Sequence, residues 1–364
     1  MTVTNKPFAS RLQPLVDSGA FAGAVAAVAS KDAMIWFEAV GYADLATRQP
    51  MTRDSLFWIA SQSKPITSIA LMILVDEGKV NVEDPIEKYL PEFEGSSWVP
   101  AWSDEGHVLL KRPANLIKVR NVLSHTSGLP FSTKVEHPSL DLLPLESRVR
   151  SYAMAPLLFA PGEGYQYSNA GTNTAGRIIE VVSGMPYADF LRQRLTDPLG
   201  MKDTTFWPNA EQLSRLAKVY DYKAETGKLE EIPVSQLLYP LDGPGREPMP
   251  AGGLFSTLDD MTRFYQMLMN GGEVAGRRYL SAAAVAQATS KQTGDKVETN
   301  YGFGFGADEG SFGHGGALGT GTTVDRKRGV IKLWFIQHAN YAQGQGEKIG
   351  AAFAEGVEDV TAQA

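Results

Sequence analysis

The stretch that decides the fold is IASQSKPIT, residues 59–67, in which a serine and a lysine stand three positions apart. Apolar side chains recur after it at the helical period of 3.6, and Gly78 offers a stop for the helix. Ser61 and Lys64 then share one face of its first turn. A nearby lysine can activate a serine hydroxyl, and a helix N-terminus supplies N–H groups suited to a developing oxyanion. The stretch therefore predicts a nucleophilic serine, although the same spacing also occurs on ordinary solvated helices.

The composition is that of an ordinary globular chain. Its 364 residues are 43% hydrophobic and 21% charged, which is enough for a large core in one or two domains. A formal charge of −7 without basic clusters argues against nucleic acid or an anionic membrane as a partner. No apolar run approaches the roughly 18 residues that a membrane span needs. The polar start at residues 1–7 makes a cytoplasmic protein the default expectation, although a removed leader would leave the same start.

No cofactor or metal is expected. The chain has no cysteine, so disulfides, thiolate metal sites and a cysteine nucleophile are excluded. Its five histidines are scattered without metal-ligand spacing, and no glycine-rich nucleotide loop opens a helix after a strand. His125 lies in a turn that ends a helix, where a hydrogen-bonding role is more typical than a catalytic one. The expected partner is a small-molecule acyl substrate, and the sequence leaves the oligomeric state open.

Strands are predicted near both ends of the chain. Residues 23–30 and 34–40 are predicted as an antiparallel pair whose following loop delivers Ser61 to its helix. A closing helix is predicted over 346–356. Glycine-containing segments of the last third are predicted as three adjacent antiparallel strands: 301–306, 311–325 and 329–338.

The middle of the chain, residues 85–249, is predicted as short helices between proline- and glycine-rich loops. Within it, residues 94–115 show no clear periodicity and are expected to form a surface excursion. An apolar helical stripe closed by Gly184 places Tyr167 and Asn169 in the loop before a helix. By itself, this pair is more typical of a core tyrosine and an asparagine turn.

Three short motifs follow one another along the chain: Ser61-x-x-Lys64, Tyr167-x-Asn169 and His314-Gly315-Gly316. Together they resemble those of the serine β-lactamase and penicillin-binding-protein superfamily. The likeness is greatest to the class C β-lactamase branch, with its family VIII esterases, D-aminopeptidases and DD-peptidases, and it covers nearly the whole chain. Each motif alone is weak, whereas three in chain order are specific. Four flanking stretches agree with the resemblance: LSHTSGL (123–129), PGEGYQYSNAG (161–171), DPLGMKDTTF (197–206) and AGGLFSTLDDMTRF (251–264).

The resemblance implies an α+β fold of the β-lactamase/transpeptidase type, an α/β-type sandwich. An antiparallel sheet flanked by helices would be formed by residues 1–84 and 250–364. A mostly helical domain, residues 85–249, would be inserted between these two parts. The site would lie in the cleft between the domains, where ligand sites tend to occur.

The resemblance also implies roles for the residues of the first two motifs. Ser61 would be the acylated nucleophile and Lys64 its helper. Tyr167 would act as general base and then as acid for the leaving group, and Asn169 would orient the lysine and the substrate. An unperturbed tyrosine has a pKa near 10, so Lys64 would have to favour its phenolate. Whether Tyr167 or Lys64 is the base stays open.

The third motif departs from the usual pattern of the superfamily. β-Lactamases and DD-peptidases usually carry Lys-Thr-Gly here, and that lysine meets a substrate carboxylate. This chain has His314, which is neutral by default near pH 7, and it could orient Tyr167. Gly315 and Gly316 would contact substrate, and the backbone N–H groups of Ser61 and Ala317 would form the oxyanion hole.

The sequence as a whole predicts a serine hydrolase that works through an acyl-enzyme. Because His314 stands where the Lys-Thr-Gly motif usually has its lysine, a carboxylesterase acting on small uncharged esters agrees best with the sequence. The alternatives are a D-amino-acid amidase or aminopeptidase, a weak β-lactamase or DD-peptidase, and an acyltransferase. A binding protein that keeps the fold without turnover is an alternative from another class.

Overall fold

The computed structural model of the protein describes residues 7–362. Its largest element is an antiparallel sheet that joins strands from both ends of the chain, as the sequence predicts. Four two-stranded pairs accompany it. The strands are β1 (Gly23–Ala29), β2 (Met34–Asp44), β3 (Gln49–Pro50), β4 (Phe57–Trp58), β5 (Val99–Asp104), β6 (His107–Lys111), β7 (Val219–Lys223), β8 (Lys228–Ile232), β9 (Phe255–Ser256), β10 (Glu273–Val274), β11 (Arg277–Arg278), β12 (Gly306–Asp308), β13 (Ser311–Gly315), β14 (Gly321–Asp325) and β15 (Val330–Ile336).

The main sheet has seven strands in the order β12-β13-β14-β15-β1-β2-β3. β1 pairs with β15 along its length, from Ala24 opposite Ile336 to Ala29 opposite Ile331. β1 is buried throughout, because helices cover both faces of the sheet. The expected fold class, an antiparallel sheet flanked by helices, is confirmed.

The helices form layers on the two faces of this sheet. On one face α1 and α11 pack against side chains such as Ala26 of β1; on the other, α2 and α9 pack against side chains such as Ala27. This alternation is the period-2 geometry of a strand buried on both sides. The helices are α1 (Pro7–Asp17), α2 (Ser63–Asp76), α3 (Val119–Leu123), α4 (Leu145–Ala153), α5 (Asn169–Ser183), α6 (Tyr187–Leu191), α7 (Asp197–Leu199), α8 (Ala210–Ser214), α9 (Leu258–Met269), α10 (Ala282–Ala288) and α11 (Gln345–Thr361).

The middle of the chain contributes helices α3–α8 and the hairpins β5–β6 and β7–β8. One apolar core runs from the sheet through α2 into this part, where it includes Leu145, Ile178 and Phe190. The core is therefore continuous across residues 84/85 and 249/250. The division into residues 1–84 with 250–364 and residues 85–249 stays a prediction.

Two local predictions are wrong in detail. Residues 311–325 form two strands, β13 and β14, because a short 3-10 helix, Ala317–Gly319, interrupts them. Residues 301–306 are not a strand, apart from Gly306 at the start of β12. Their glycines serve close packing instead: Gly304 has φ +81°, and a Cβ there would lie 2.2 Å from the hydroxyl of Ser68 on α2.

The segment 94–115 lacks sequence periodicity, yet it forms the hairpin β5–β6. Val99 anchors the base of the hairpin in the core, whereas Trp102, Val108 and Leu109 are exposed. A hairpin with apolar residues on both faces shows no alternation in sequence, which is why the pattern does not predict it. No helix within residues 7–362 is long and apolar enough to cross a membrane.

Candidate active site

Ser61 lies in a tight turn that leads into α2. A short 3-10 helix, Ala60–Gln62, precedes the α-helix, and Ala60 takes the unfavourable φ of +46°. Two hydrogen bonds stabilise this turn. The N–H of Ile59 donates to Leu254 O of a neighbouring segment at 3.0 Å, and within the turn the hydroxyl of Ser63 donates to Ala60 O at 2.7 Å. The surrounding structure thus fixes the direction of the Ser61 side chain.

Lys64 is wholly buried on the first turn of α2, as the three-residue spacing predicts. Its Nζ lies 3.1 Å from the Ser61 hydroxyl, 2.7 Å from Asn169 Oδ1 and 2.8 Å from the carbonyl oxygen of Ala251. Burial holds the pKa of Lys64 well below its usual value, because water does not solvate the ammonium. A neutral amine has two N–H donors for the two carbonyl oxygens and one lone pair for the Ser61 hydroxyl.

Tyr167 precedes α5, as predicted, whereas Asn169, which was predicted in the same loop, is the first residue of the helix. Ser168 is the N-cap, and its hydroxyl accepts from the N–H of Gly171 at 3.0 Å. This cap places Asn169 against Lys64, while the Lys64 Nζ lies 4.6 Å from the centre of the Tyr167 ring. Burial raises the pKa of Tyr167, and its hydrogen bond with Ser61 partly opposes that rise. Tyr167 is therefore a phenol near neutral pH, not a phenolate.

His314 lies on β13 and faces the tyrosines. Its Nε2 lies 2.9 Å from the hydroxyl oxygen of Tyr301 and 3.5 Å from that of Tyr167, while its Nδ1 contacts Gly315 O. Burial lowers the pKa of His314 to about 3, and the nearby Lys64 acts in the same direction. The imidazole is therefore neutral at pH 7, and the third motif brings no fixed positive charge to the site.

The end of β13 approaches the serine turn closely because residue 316 is glycine. A Cβ at Gly316 would lie 2.4 Å from the carbonyl oxygen of Ile59, two residues before Ser61. Ala317 begins the 3-10 helix that follows. The amides of Ser61 and Ala317 both belong to first turns, where N–H groups lack an intrahelical acceptor. The structure thus brings together the three motifs predicted to form the site.

Two further residues of the site are hydrogen-bonded to these motifs. Tyr301 is almost fully buried, and its hydroxyl contacts both His314 and, at 3.2 Å, Nε2 of His125. His125 accepts at Nδ1 from the N–H of Ser168 at 3.2 Å, and its ring centre lies 4.6 Å from that of Tyr167. The expected hydrogen-bonding role of His125 is confirmed. The sequence does not predict Tyr301 as a site residue, because it belongs to none of the motifs and its partners His125 and His314 lie in other segments of the chain.

Within residues 7–362, no three His, Asp or Glu side chains gather in a way that could hold an ion. The chemistry available to the site is that of the serine hydroxyl, the buried amine, the phenol and the backbone N–H groups.

Comparisons with known proteins find similarity over nearly the whole chain. The family model described as Beta-lactamase matches residues 8–353. The chain is 31% identical to Protein Rv1367c of Mycobacterium tuberculosis, over 90% of this chain and 88% of that protein. It is 29% identical to Esterase EstB of Burkholderia gladioli, over 78% of this chain and 74% of that protein.

A solved structure extends the likeness to three dimensions. It is that of EstCE1, a hydrolase with promiscuous acyltransferase activity. The two chains are 26% identical and superpose with a TM-score of 0.77, over 97% of this chain and all of EstCE1. The likeness therefore extends through nearly the whole fold.

Proposed function

The chain belongs to the beta-lactamase family of hydrolases, and from that premise we propose that it is a carboxylesterase for small uncharged esters that works through an acyl-enzyme at Ser61. The observation that carries this proposal is the neutral His314 at the position where related sites place a lysine. The similarity to Esterase EstB and to EstCE1 supports the same class of reaction.

Lys64 is the proposed base of the acylation step. Its amine accepts the proton of the Ser61 hydroxyl as Oγ attacks the ester carbonyl carbon. Three observations support it over Tyr167: the 3.1 Å contact, the lowered pKa of the lysine and the raised pKa of the tyrosine. A general base must be deprotonated at the working pH. Of the two groups, only Lys64 has its pKa shifted in the direction that favours the deprotonated form.

Tyr167 is the proposed acid for the leaving group. When the tetrahedral intermediate collapses, the carbon–oxygen bond of the ester breaks and the alkoxide takes the phenol proton. The Lys64 ammonium restores that proton to Tyr167, so charge does not accumulate. The N–H groups of Ser61 and Ala317 stabilise the oxyanion of the intermediate. Water then attacks the acyl carbonyl carbon while Lys64, acting through Tyr167, takes one proton of that water. The bond between Oγ of Ser61 and the acyl carbon breaks, Oγ receives this proton back from Tyr167 and Lys64, and the carboxylic acid leaves.

The preference for uncharged substrates follows from electrostatics. A substrate carboxylate placed beside His314 would lose solvation without gaining a charged partner, whereas a neutral ester loses little. A hydrogen bond to a charged group contributes roughly 1.5–3 kcal/mol, equivalent to one to two powers of ten in affinity. β-Lactams and peptides that end in a carboxylate are therefore expected to be poor substrates.

Acyl transfer is a second candidate, because an alcohol can replace water in the second half of the reaction. The similarity to EstCE1, whose description includes promiscuous acyltransferase activity, favours this candidate over amide hydrolysis. The ratio of transfer product to acid, measured with and without added alcohol, separates the two activities. Both require the same acyl-enzyme.

The proposal is tested on one preparation with p-nitrophenyl butyrate, an aminoacyl p-nitroanilide and nitrocefin. We expect kcat/KM for the butyrate ester to exceed that for nitrocefin by at least about tenfold, because one charge-assisted bond is missing. Ser61→Ala is the control for background hydrolysis. Equal hydrolysis of nitrocefin and the ester would refute the charge argument, and faster cleavage of the anilide would favour an aminopeptidase.

A further inference from the structure

We propose that Tyr301 and His125 are positioning residues of the Ser61 site, which hold His314 in one hydrogen-bonded state and leave the Tyr167 hydroxyl to Ser61. Both act through another residue instead of contacting the reacting atoms. The inference rests on the proposed chemistry at Ser61. It is carried by the direction of each hydrogen bond in a chain of four hydrogen bonds that runs from the backbone N–H of Ser168 to the carbonyl oxygen of Gly315.

One end of the chain is the backbone N–H of Ser168, which can only donate. It donates to Nδ1 of His125 at 3.2 Å, so that nitrogen carries a lone pair. His125 is buried, and its pKa lies well below the usual value for that reason, so the ring is neutral. A neutral imidazole with a bare Nδ1 has its proton on Nε2. This Nε2–H therefore donates to the hydroxyl oxygen of Tyr301, 3.2 Å away.

The other end is the carbonyl oxygen of Gly315, which can only accept. The Nδ1 of His314 contacts it and must therefore carry the proton. In the neutral ring, Nε2 then holds a lone pair. The hydroxyl of Tyr301 donates to this lone pair over 2.9 Å. The two ends thus assign Tyr301 one accepted and one donated hydrogen bond, which is what a phenol can make.

The consequence concerns Tyr167. Its hydroxyl oxygen lies 3.5 Å from Nε2 of His314, whose lone pair is already taken by the closer Tyr301. The phenol proton is therefore left for Ser61, the hydrogen-bond partner that opposes the rise in the pKa of Tyr167. His125 also packs against the Tyr167 ring, with centroids 4.6 Å apart. Together these contacts fix both the position and the proton direction of the phenol.

The test uses Tyr301→Phe and the rate at which a fluorophosphonate labels Ser61, which does not depend on the natural substrate. Without the Tyr301 hydroxyl, His314 can accept the Tyr167 proton and draw it from Ser61. We expect the second-order labelling rate constant to fall about tenfold, the typical effect of losing one hydrogen bond. Tyr265→Phe is the matched control: Tyr265 is equally buried, and its hydroxyl oxygen has no hydrogen-bond partner among the described residues.

Nitrogen NMR of isotope-labelled histidine reports which ring nitrogen of each histidine carries the proton. A purely structural role of Tyr301 would not affect that measurement. In the unsubstituted protein we expect His314 to be protonated on Nδ1 only and His125 on Nε2 only. The His314 Nε2 resonance should shift in Tyr301→Phe and stay in place in Tyr265→Phe. His125→Gln, which keeps an N–H donor toward Tyr301, should label faster than His125→Met. His125 has a strained φ of +61°, which either replacement would have to adopt.

The outcomes separate this inference from the proposed function. Protonation of His314 on Nε2, or an unchanged labelling rate in folded Tyr301→Phe, would overturn the positioning role. Equal rates for His125→Gln and His125→Met would overturn the part assigned to His125. If the protein labels at Ser61 but does not hydrolyse p-nitrophenyl butyrate, the proposed substrate class fails while the hydrogen-bond chain remains tested by the same spectra.

Discussion

The amine nitrogen of Lys64 lies 3.1 Å from the hydroxyl oxygen of Ser61, and Lys64 has no solvent-exposed surface. Its amine nitrogen also lies within hydrogen-bond distance of two carbonyl oxygens, those of Asn169 and Ala251. No carboxylate takes part in these contacts, so the site favours the neutral amine that a general base requires.

Ser61 is predicted to be the acylated residue. A fluorophosphonate should add once to the intact protein, on the peptide that contains Ser61, because this serine alone is paired with a buried amine within residues 7–362. Ser61→Ala should abolish both labelling and ester hydrolysis, whereas Ser290→Ala on the surface should change neither. Mass spectrometry of the intact and digested protein checks this, and a label on another residue would reject the assignment.

Tyr167→Phe is predicted to lower kcat by at least about a hundredfold, because transfer of a proton by a positioned group contributes ~10²–10⁴-fold. The fold should remain, since only one oxygen is removed. Tyr265→Phe controls for the loss of a buried phenol elsewhere in the chain. A decrease below roughly fivefold, about 1 kcal/mol of barrier, would mean that Tyr167 serves packing only.

Lys64 is predicted to make stability depend on pH. Its pKa in the folded protein lies below the ordinary 10.5, so the unfolded chain binds more protons between these two values. The free energy of unfolding should therefore rise with pH through that window, by at most about 1.4 kcal/mol per pH unit. Urea midpoints at pH 7 and pH 9 measure the slope, which Lys64→Met should reduce. Identical slopes would indicate that Lys64 is charged in the folded state.

The pH dependence of ester hydrolysis should follow the protonation of Lys64. Activity should be lost as pH falls through the folded-state pKa of Lys64, because the amine then carries a proton and cannot accept that of Ser61. Lys64→Arg should be inactive at every pH, since a guanidinium does not deprotonate in this range. Measurable turnover in Lys64→Arg would assign the role of base to Tyr167.

His314→Lys is predicted to narrow the gap between p-nitrophenyl butyrate and nitrocefin. The new ammonium would give a substrate carboxylate a charged partner, worth about one to two powers of ten in affinity. Ester hydrolysis should fall as well, because Tyr301 loses the acceptor for its proton. Steady-state kinetics with both substrates measures the ratio. His314→Gln, which adds no charge, should leave nitrocefin hydrolysis low.

The buried ion pair of Arg246 and Asp141 is predicted to stabilise the loops beside the site. Their contact is 2.8 Å, both side chains are at most 2% exposed, and Arg246 also donates to the carbonyl oxygens of Phe206 and Leu241. Arg246→Met should lower the free energy of unfolding by about 3–5 kcal/mol, because it leaves the Asp141 carboxylate buried without its partner. The double variant with Asp141→Leu should recover part of that loss in urea titrations.

The sequence by itself determined the fold class and the residues of the three motifs. Helical periodicity after Ser61 predicted α2, and the apolar run at residues 23–30 predicted β1, because local patterns follow from the backbone periods of 3.6 and 2. The fixed spacing within each motif likewise predicted which side chains would share a turn, as Ser61 and Lys64 do.

The tertiary structure alone decided how these motifs meet and which other groups complete the site. Tyr301 and His125 lie 176 positions apart and are joined by one hydrogen bond, which no local pattern encodes. The boundary between β13 and β14 was missed for a related reason: the approach of Gly316 to Ile59 depends on two segments packing together. The lowered pKa values of Lys64 and His314 likewise come from burial, because desolvation depends on everything that surrounds a group rather than on its neighbours in sequence.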